Sequence, residues 1–191
     1  MHTDTNPEPF PSDPDAFNEE LFETRYNNAI ASCEHIIKRI ALKGFKHAAF
    51  ASHETLCYTA TIYLDGRKVG DVHNDGNGGD SCLYFADWQV ERDLADQVKQ
   101  AFEQFDGEVV PIGLSGIIDH IADEVVTDKK IAAFTKKCFK RGFTVILCEG
   151  DLITGCHPTA VARTMNELAA SGEKVKRILT PPSVSRTGGE A

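Results

Sequence analysis

The sequence predicts an α+β fold: an N-terminal helix, an antiparallel β-meander, central helices, and a C-terminal β-hairpin with a helix. Three observations predict it. Apolar residues recur at three- and four-residue steps from Phe22 to Ile40, alternate strictly from Leu56 to Leu64, and return to helical spacing after Asp87. An Asp65-Gly66 step ends the alternating stretch, the strongest short-range signal for a two-residue hairpin turn. The closing third of the chain repeats the contrast, with the apolar run "FTVILC" set between helical segments.

Each element has its own signal. Asp13 is placed to cap the first helix and Pro14 to open it, with Asp15, Glu19 and Glu20 favouring the positive end of its dipole. Phe22, Tyr26, Ala29, Ile30, Cys33, Ile37 and Ile40 form its apolar stripe, and Gly44 is expected to stop it. "KHAAFAS" (46–52) reads as a short strand. In "LCYTATIYL" (56–64), Leu56, Tyr58, Ala60, Ile62 and Leu64 share one face. A type I′ turn at Asp65-Gly66 leads into "RKVGDV", and "SCLYFAD" (81–87) adds a further antiparallel strand. Val90, Leu94, Val98, Ala101, Phe102 and Phe105 mark a second helix, closed by Gly107. A third begins after Ser115, with Ile117, Ile118, Ile121 and Val125 inward. It either continues through "TDKKIAAFTKKCFKR" or breaks near Thr127, and Gly142 ends it. "FTVILC" turns at Glu149-Gly150 and returns through "DLITGC". Pro158 opens the last helix, and "KVKRIL" (174–179) suits a closing strand.

The length, 191 residues, fits one domain of about 100–200 residues. The expected organisation is a disordered acidic arm at 1–12, a single α+β domain at 13–180 and a flexible tail at 181–191. The arm is polar and carries three prolines. The net charge is −9, of which residues 1–24 carry −7 and the remainder −2. No run of about 18 apolar residues suggests a membrane span, and the start has neither basic nor apolar signal character. A cytoplasmic location is therefore expected, with no membrane partner. The six cysteines are widely spaced and never form C-x-x-C, so no structural zinc site is expected; no other metal and no cofactor are expected either. Free buried thiols are the default reading.

"YTATIYLDGRKVGDVHNDGNGG", followed by helices leading into "DEVVTDKKIAAFTKKCFKRGFTVILCEGD", resembles a group of small uncharacterised bacterial and phage- or plasmid-borne proteins. They share a TATLYxDGKKVGxVxNDGxGG-like hairpin, a Lys-rich helix and a closing hairpin. The likeness covers roughly residues 47–180. It implies an accessory protein of a mobile genetic element, a class in which small binders and inhibitors of host systems are common.

Three sites compete. With Asp65-Gly66 as the turn, Ile62 faces Val69, Ala60 faces Asp71 and Tyr58 faces His73. Asp71 and His73 then share the side of Ile62 and Tyr58, where an Asp orienting a His would be half of a general-base arrangement. No Ser or Cys is placed by the sequence as nucleophile, and the plain alternative is two side chains at a wet sheet edge. The following loop, Asn74, Asp75, Gly76, Asn77, Gly78, Gly79 and Asp80, is a candidate contact loop. As a calcium loop it fails, because the twelfth position is Cys82 rather than Glu. As a phosphate cradle it lacks the helix that should follow. Third, Lys129, Lys130, Lys136, Lys137, Lys140 and Arg141 fall in one arc of a helix, opposite Ile131, Phe134 and Cys138. Such an arc can grip phosphates, though it also suits a solvated face.

The expected function is that of a non-enzymatic binding or inhibitory protein from a mobile element, with a host protein as the partner. A nucleic-acid-associated protein using the Lys-rich helix is the alternative, and a hydrolase-like enzyme using Asp71 and His73 is the third reading.

Overall fold

The computed structural model describes residues 19–103, 112–149 and 152–182. The arm at 1–12, the Asp13–Pro14 helix start, Phe105, Gly107, Gly150 and the tail beyond 182 lie outside the described residues. Helices α1 (Glu19–Ser32) and α2 (Glu34–Ile37) precede four strands, β1 (Ile40–His47), β2 (Cys57–Leu64), β3 (Arg67–Asp75) and β4 (Cys82–Phe85). These strands are antiparallel neighbours in chain order, a meander. Helices α3 (Trp88–Glu103) and α4 (Leu114–Lys140) follow. The chain closes with β5 (Thr144–Cys148), β6 (Ile153–Cys156), α5 (Val161–Ala170) and β7 (Val175–Leu179). The fold is α+β. Contacts divide the chain into two compact units, Met1–Ile121 and Ala122–Ala191, and α4 is continuous through the division.

The first helical run is shorter than its apolar spacing predicts. It breaks at Cys33, ends at Ile37, and gives way to β1 at Ile40. Gly44 therefore does not stop a helix. It lies inside β1 with φ +61°, at a bulge where the pairing with β2 shifts between Lys43 and Lys46. Ile40 continues the helical spacing only by coincidence. Pairing with Leu64 across β1–β2 outweighs local propensity there. Part of the expected strand at 46–52 is instead a 3₁₀ turn, Ala49–Ala51.

The hairpin turn forms as expected. Asp65 (φ 49°) and Gly66 (φ 81°) both occupy the left-handed region that a type I′ turn demands. Arg39 clamps it, its guanidinium donating to both Asp65 carboxylate oxygens (2.8–3.2 Å) and to Gln97 Oε1 (3.0 Å). The register beyond the turn differs from expectation. Leu64 pairs with Arg67 and Tyr63 with Lys68, but Ile62 then pairs with Gly70, Ala60 with Val72 and Tyr58 with Asn74. Val69 is the extra residue of a β-bulge. Because side chains alternate, this single insertion moves Asp71 and His73 to the opposite face of the sheet.

The inner face of the meander carries Ile40, Tyr58, Ala60, Ile62 and Val72, all buried. Ala29, Ile30, Cys33 and Ile36 from the first helices, and Leu94, Val98, Ala101 and Phe102 from α3, are buried in the same unit, as are Leu114, Ile117, Ile118 and Ile121. In the second unit β5 is the central strand, flanked by β6 and β7. Its Thr144, Val145, Ile146 and Cys148 are buried, with Val126 and Cys138 of α4. Helix α4 does not break at Thr127. It closes in a Schellman motif, Phe143 N–H donating to Cys138 C=O and Gly142 N–H to Phe139 C=O, both at 3.0 Å. Pro158 opens a 3₁₀ turn that leads into α5, with His157 as its cap.

Candidate functional site

The segment that follows β3 turns back under the control of one side chain. Asn74 sits on the inner face, 6% exposed. Its Oδ1 accepts from Thr55 Oγ1 and from Gly76 N–H, each at 2.9 Å. Its Nδ2 donates to Gly79 C=O (3.2 Å) and Ser81 Oγ (3.3 Å). Both ends of the amide are thus satisfied, and the loop is shaped around it. Asp75 adds a second Asx turn, accepting from Asn77 N–H at 3.2 Å.

Gly76 locks this loop to another. Its carbonyl accepts from His53 N–H (2.9 Å) and Glu54 N–H (3.0 Å). With φ +84° it has the conformation glycine tolerates best, and a Cβ there would run into the Ala51 carbonyl oxygen. Residues 48–55 and 74–80 therefore form one braced end of the meander. The glycines supply the positive-φ turn positions expected of them, Gly76, Gly78 and Gly79 all lying between +82° and +95°.

A buried polar cluster supports the loop from beneath. Tyr58 Oη donates to Asp119 Oδ1 (2.9 Å), and Ser81 Oγ donates to the same oxygen. Ser81 N–H reaches Asp119 Oδ2 (3.3 Å), and Ser115 Oγ donates to Asp80 Oδ2 (3.0 Å). Two turns of α4 are so joined to the sheet and loop. Tyr58 Oη and Ser81 Oγ also lie within hydrogen-bond distance of each other (2.9 Å), and Ser81 is only 6% exposed. This arrangement braces the loop rather than preparing a nucleophile. Sequence reasoning missed Thr55, Ser81, Ser115 and Asp119; their polar side chains carried no spacing signal, because their partners lie up to 61 residues away.

Asp71 and His73 stand side by side on the outer face, not with Ile62 and Tyr58. Asp71 accepts from Thr61 Oγ1 (2.8 Å) and pairs with Lys68 (3.0 Å), and these interactions hold its carboxyl below the usual range. The His73 ring stacks on Tyr84, centroids 5.5 Å apart. Cys82 lies opposite His73 across β3–β4, a juxtaposition only the register reveals. No hydrogen bond joins Asp71, His73 and Cys82 to one another. The placement of Asp71 and His73 with Ile62 and Tyr58 is thereby corrected: the bulge turns both outward, and Thr61 and Lys68 engage the Asp71 carboxylate.

On α4, Lys129, Lys130, Lys136, Lys137 and Lys140 are all exposed, as is Arg141 just beyond it. Among the described residues, no carboxylate pairs with Lys136, Lys137, Lys140 or Arg141. Three large apolar side chains of the first unit are strongly exposed: Phe50 (88%), Trp88 (66%) and Tyr84 (58%). Trp88 lies at the surface where α3 begins.

The cysteines form no disulfide among them; Cys33, Cys138 and Cys148 are buried, and Cys82 is exposed. Burial pushes the Cys33 and Cys148 thiols up. The described residues contain no cluster of His, Cys, Asp or Glu suited to a metal, and no helix long and apolar enough to cross a membrane. Compared with known protein families, curated proteins and solved structures, the chain matches none.

Proposed function

We propose that this chain is a non-enzymatic binding protein that attaches to a partner protein through the braced end formed by residues 48–55 and 74–80. The observation that carries this reading is Phe50. It is 88% exposed, yet it sits on a turn whose neighbours are tied to the Gly76 carbonyl. Burying a Phe side chain is worth about 1.5–3 kcal/mol, a gain this position leaves unrealised in the free chain. Aromatic anchors ringed by polar groups are the usual energetic centres of interfaces, and exposed His53, Glu54, Asp75 and Asn77 supply such a rim. Because the loops are already ordered, little conformational entropy is lost on docking. The resemblance to mobile-element accessory proteins supports a host protein as partner, with inhibition as the outcome.

The test is recovery of a partner from the native cell by tagged protein, followed by a direct affinity measurement with that partner purified. Phe50→Ser is expected to weaken the affinity at least about tenfold, as loss of a hot-spot aromatic does, without lowering the melting temperature. Trp88→Ser is expected to leave it unchanged. A partner bound equally by Phe50→Ser would overturn this reading.

A second reading, nucleic-acid association, is favoured by one specific observation. Among the described residues, Lys136, Lys137, Lys140 and Arg141 have no carboxylate partner, in a chain of net charge −9. Asp128 shares a surface with Lys136 and Lys140 but is paired with neither, which leaves these cations open to an external anion.

A further inference from the structure

We propose that the C-terminal unit holds a binding cleft for a small amphiphilic anion, an aryl or acyl body ending in a phosphate or carboxylate. The cleft measures about 470 Å³, within the range of small-molecule sites. Phe134, Cys138 and Phe143 wall it, and Gly155 of β6 closes it. At Gly155 the strand comes so close that a Cβ would lie 2.6 Å from Cys138 Sγ and 3.5 Å from Phe134 Cζ. Sheet and helix therefore meet there through apolar atoms alone, leaving few polar groups to recognise a sugar or a base edge. The body of the ligand is hydrocarbon.

The rim determines the sign of its head. Lys137, Lys140 and Arg141 line the same cleft, and among the described residues no carboxylate lines it and none of the three has an ionic partner. A helix C-terminus disfavours anions, and cations there often serve only to satisfy its last carbonyls. Here backbone donors meet that duty for two of those carbonyls. The Cys138 carbonyl accepts from Arg141 and Phe143 N–H, and the Phe139 carbonyl from Gly142 N–H. The three side chains are left to an outside group, and a guanidinium fork beside two ammonium groups suits phosphate or carboxylate oxygens.

The probe is naphthyl phosphate, titrated into the full-length chain by calorimetry and by NMR. Saturable single-site binding is expected. Replacing Lys137, Lys140 and Arg141 together by Gln should weaken it at least about tenfold, as should replacing the probe by neutral naphthol, because each removes charge-assisted hydrogen bonds. Lys137→Arg with Lys140→Arg should retain it, which separates charge from misfolding. Absence of saturation at millimolar probe, or equal affinity in the Gln variant or for naphthol, would overturn the proposal. Retention only on phosphatidylglycerol vesicles would do the same, since it assigns the cations to a lipid headgroup. So would binding of a single-stranded oligonucleotide through these residues without competition from naphthyl phosphate.

Discussion

Asn74 shows how much one side chain can decide. Four hydrogen bonds converge on a 6% exposed amide, and through it Thr55, Gly76, Gly79 and Ser81 are fixed relative to each other. Removing it strands several buried polar atoms at once. Asn74→Ala is expected to destabilise the fold by about 1–3 kcal/mol, the cost of leaving buried groups unsatisfied. Asn77, whose neighbouring Asx turn involves only its backbone, is exposed and should tolerate Ala with a change below about 0.5 kcal/mol. Denaturant unfolding of the two variants checks this, and equal midpoints would remove Asn74 from its role. The same contrast applies to Phe50: its side chain holds nothing in place, so its substitution should be silent in stability and visible only in partner affinity.

Among the elements, the β2–β3 hairpin is secured to the chain that precedes it. Asp65 N–H donates to Arg39 C=O at 2.9 Å, while the Arg39 guanidinium grips the Asp65 carboxylate and holds it below the usual carboxylate range. A carboxyl whose pKa is lower folded than unfolded stabilises the fold above its unfolded pKa. That contribution is lost as pH falls through the depressed folded value. Asp71, lowered by Thr61 and then by Lys68, acts in the same direction on the same hairpin. Stability should therefore decline on acidification below the ordinary aspartate range, and the decline should be shallower in Asp65→Asn. Melting temperatures measured across the acid limb check the prediction; parallel curves for both proteins would exclude it. Both pairs are exposed, so the effect should shrink as salt rises.

Taken as one chain, the charges are segregated. The first 24 residues carry −7, while the last turns of α4 present Lys136, Lys137 and Lys140 without ionic partners among the described residues. If that face binds nucleic acid, affinity should fall steeply with salt through counterion release, and reversal of these three lysines to Glu should abolish it. The protein-binding reading expects weak retention on DNA or RNA even at low salt. It also expects shortening of the Asn74–Asp80 loop to harm partner binding. Filter binding of a mixed-sequence oligonucleotide over a salt series distinguishes them. Tight, salt-steep binding indifferent to the loop and lost with the charge reversals would make nucleic acid the partner.

Local pattern alone made the α+β class, the type I′ turn, the helical stripe of α3 and the lysine arc of α4 legible. Each depends on near neighbours in the chain, through periodicity or turn chemistry that a short window contains. The end of the first helix was not legible, because Ile40 fits the helical spacing and only its partner Leu64, across β1–β2, makes it strand. The orientation of Asp71 and His73 escaped for a related reason. One bulged residue, Val69, carries no mark in the sequence, yet alternation turns that slip into a change of face for everything beyond it. The polar cluster of Tyr58, Asn74, Ser81 and Asp119 was equally hidden, since it joins residues that only chain folding brings within hydrogen-bond distance. Tertiary structure decided which side chains meet, and with that it placed Asp71 and His73 on the outer face of the sheet and braced the Asn74–Asp80 loop through Asn74.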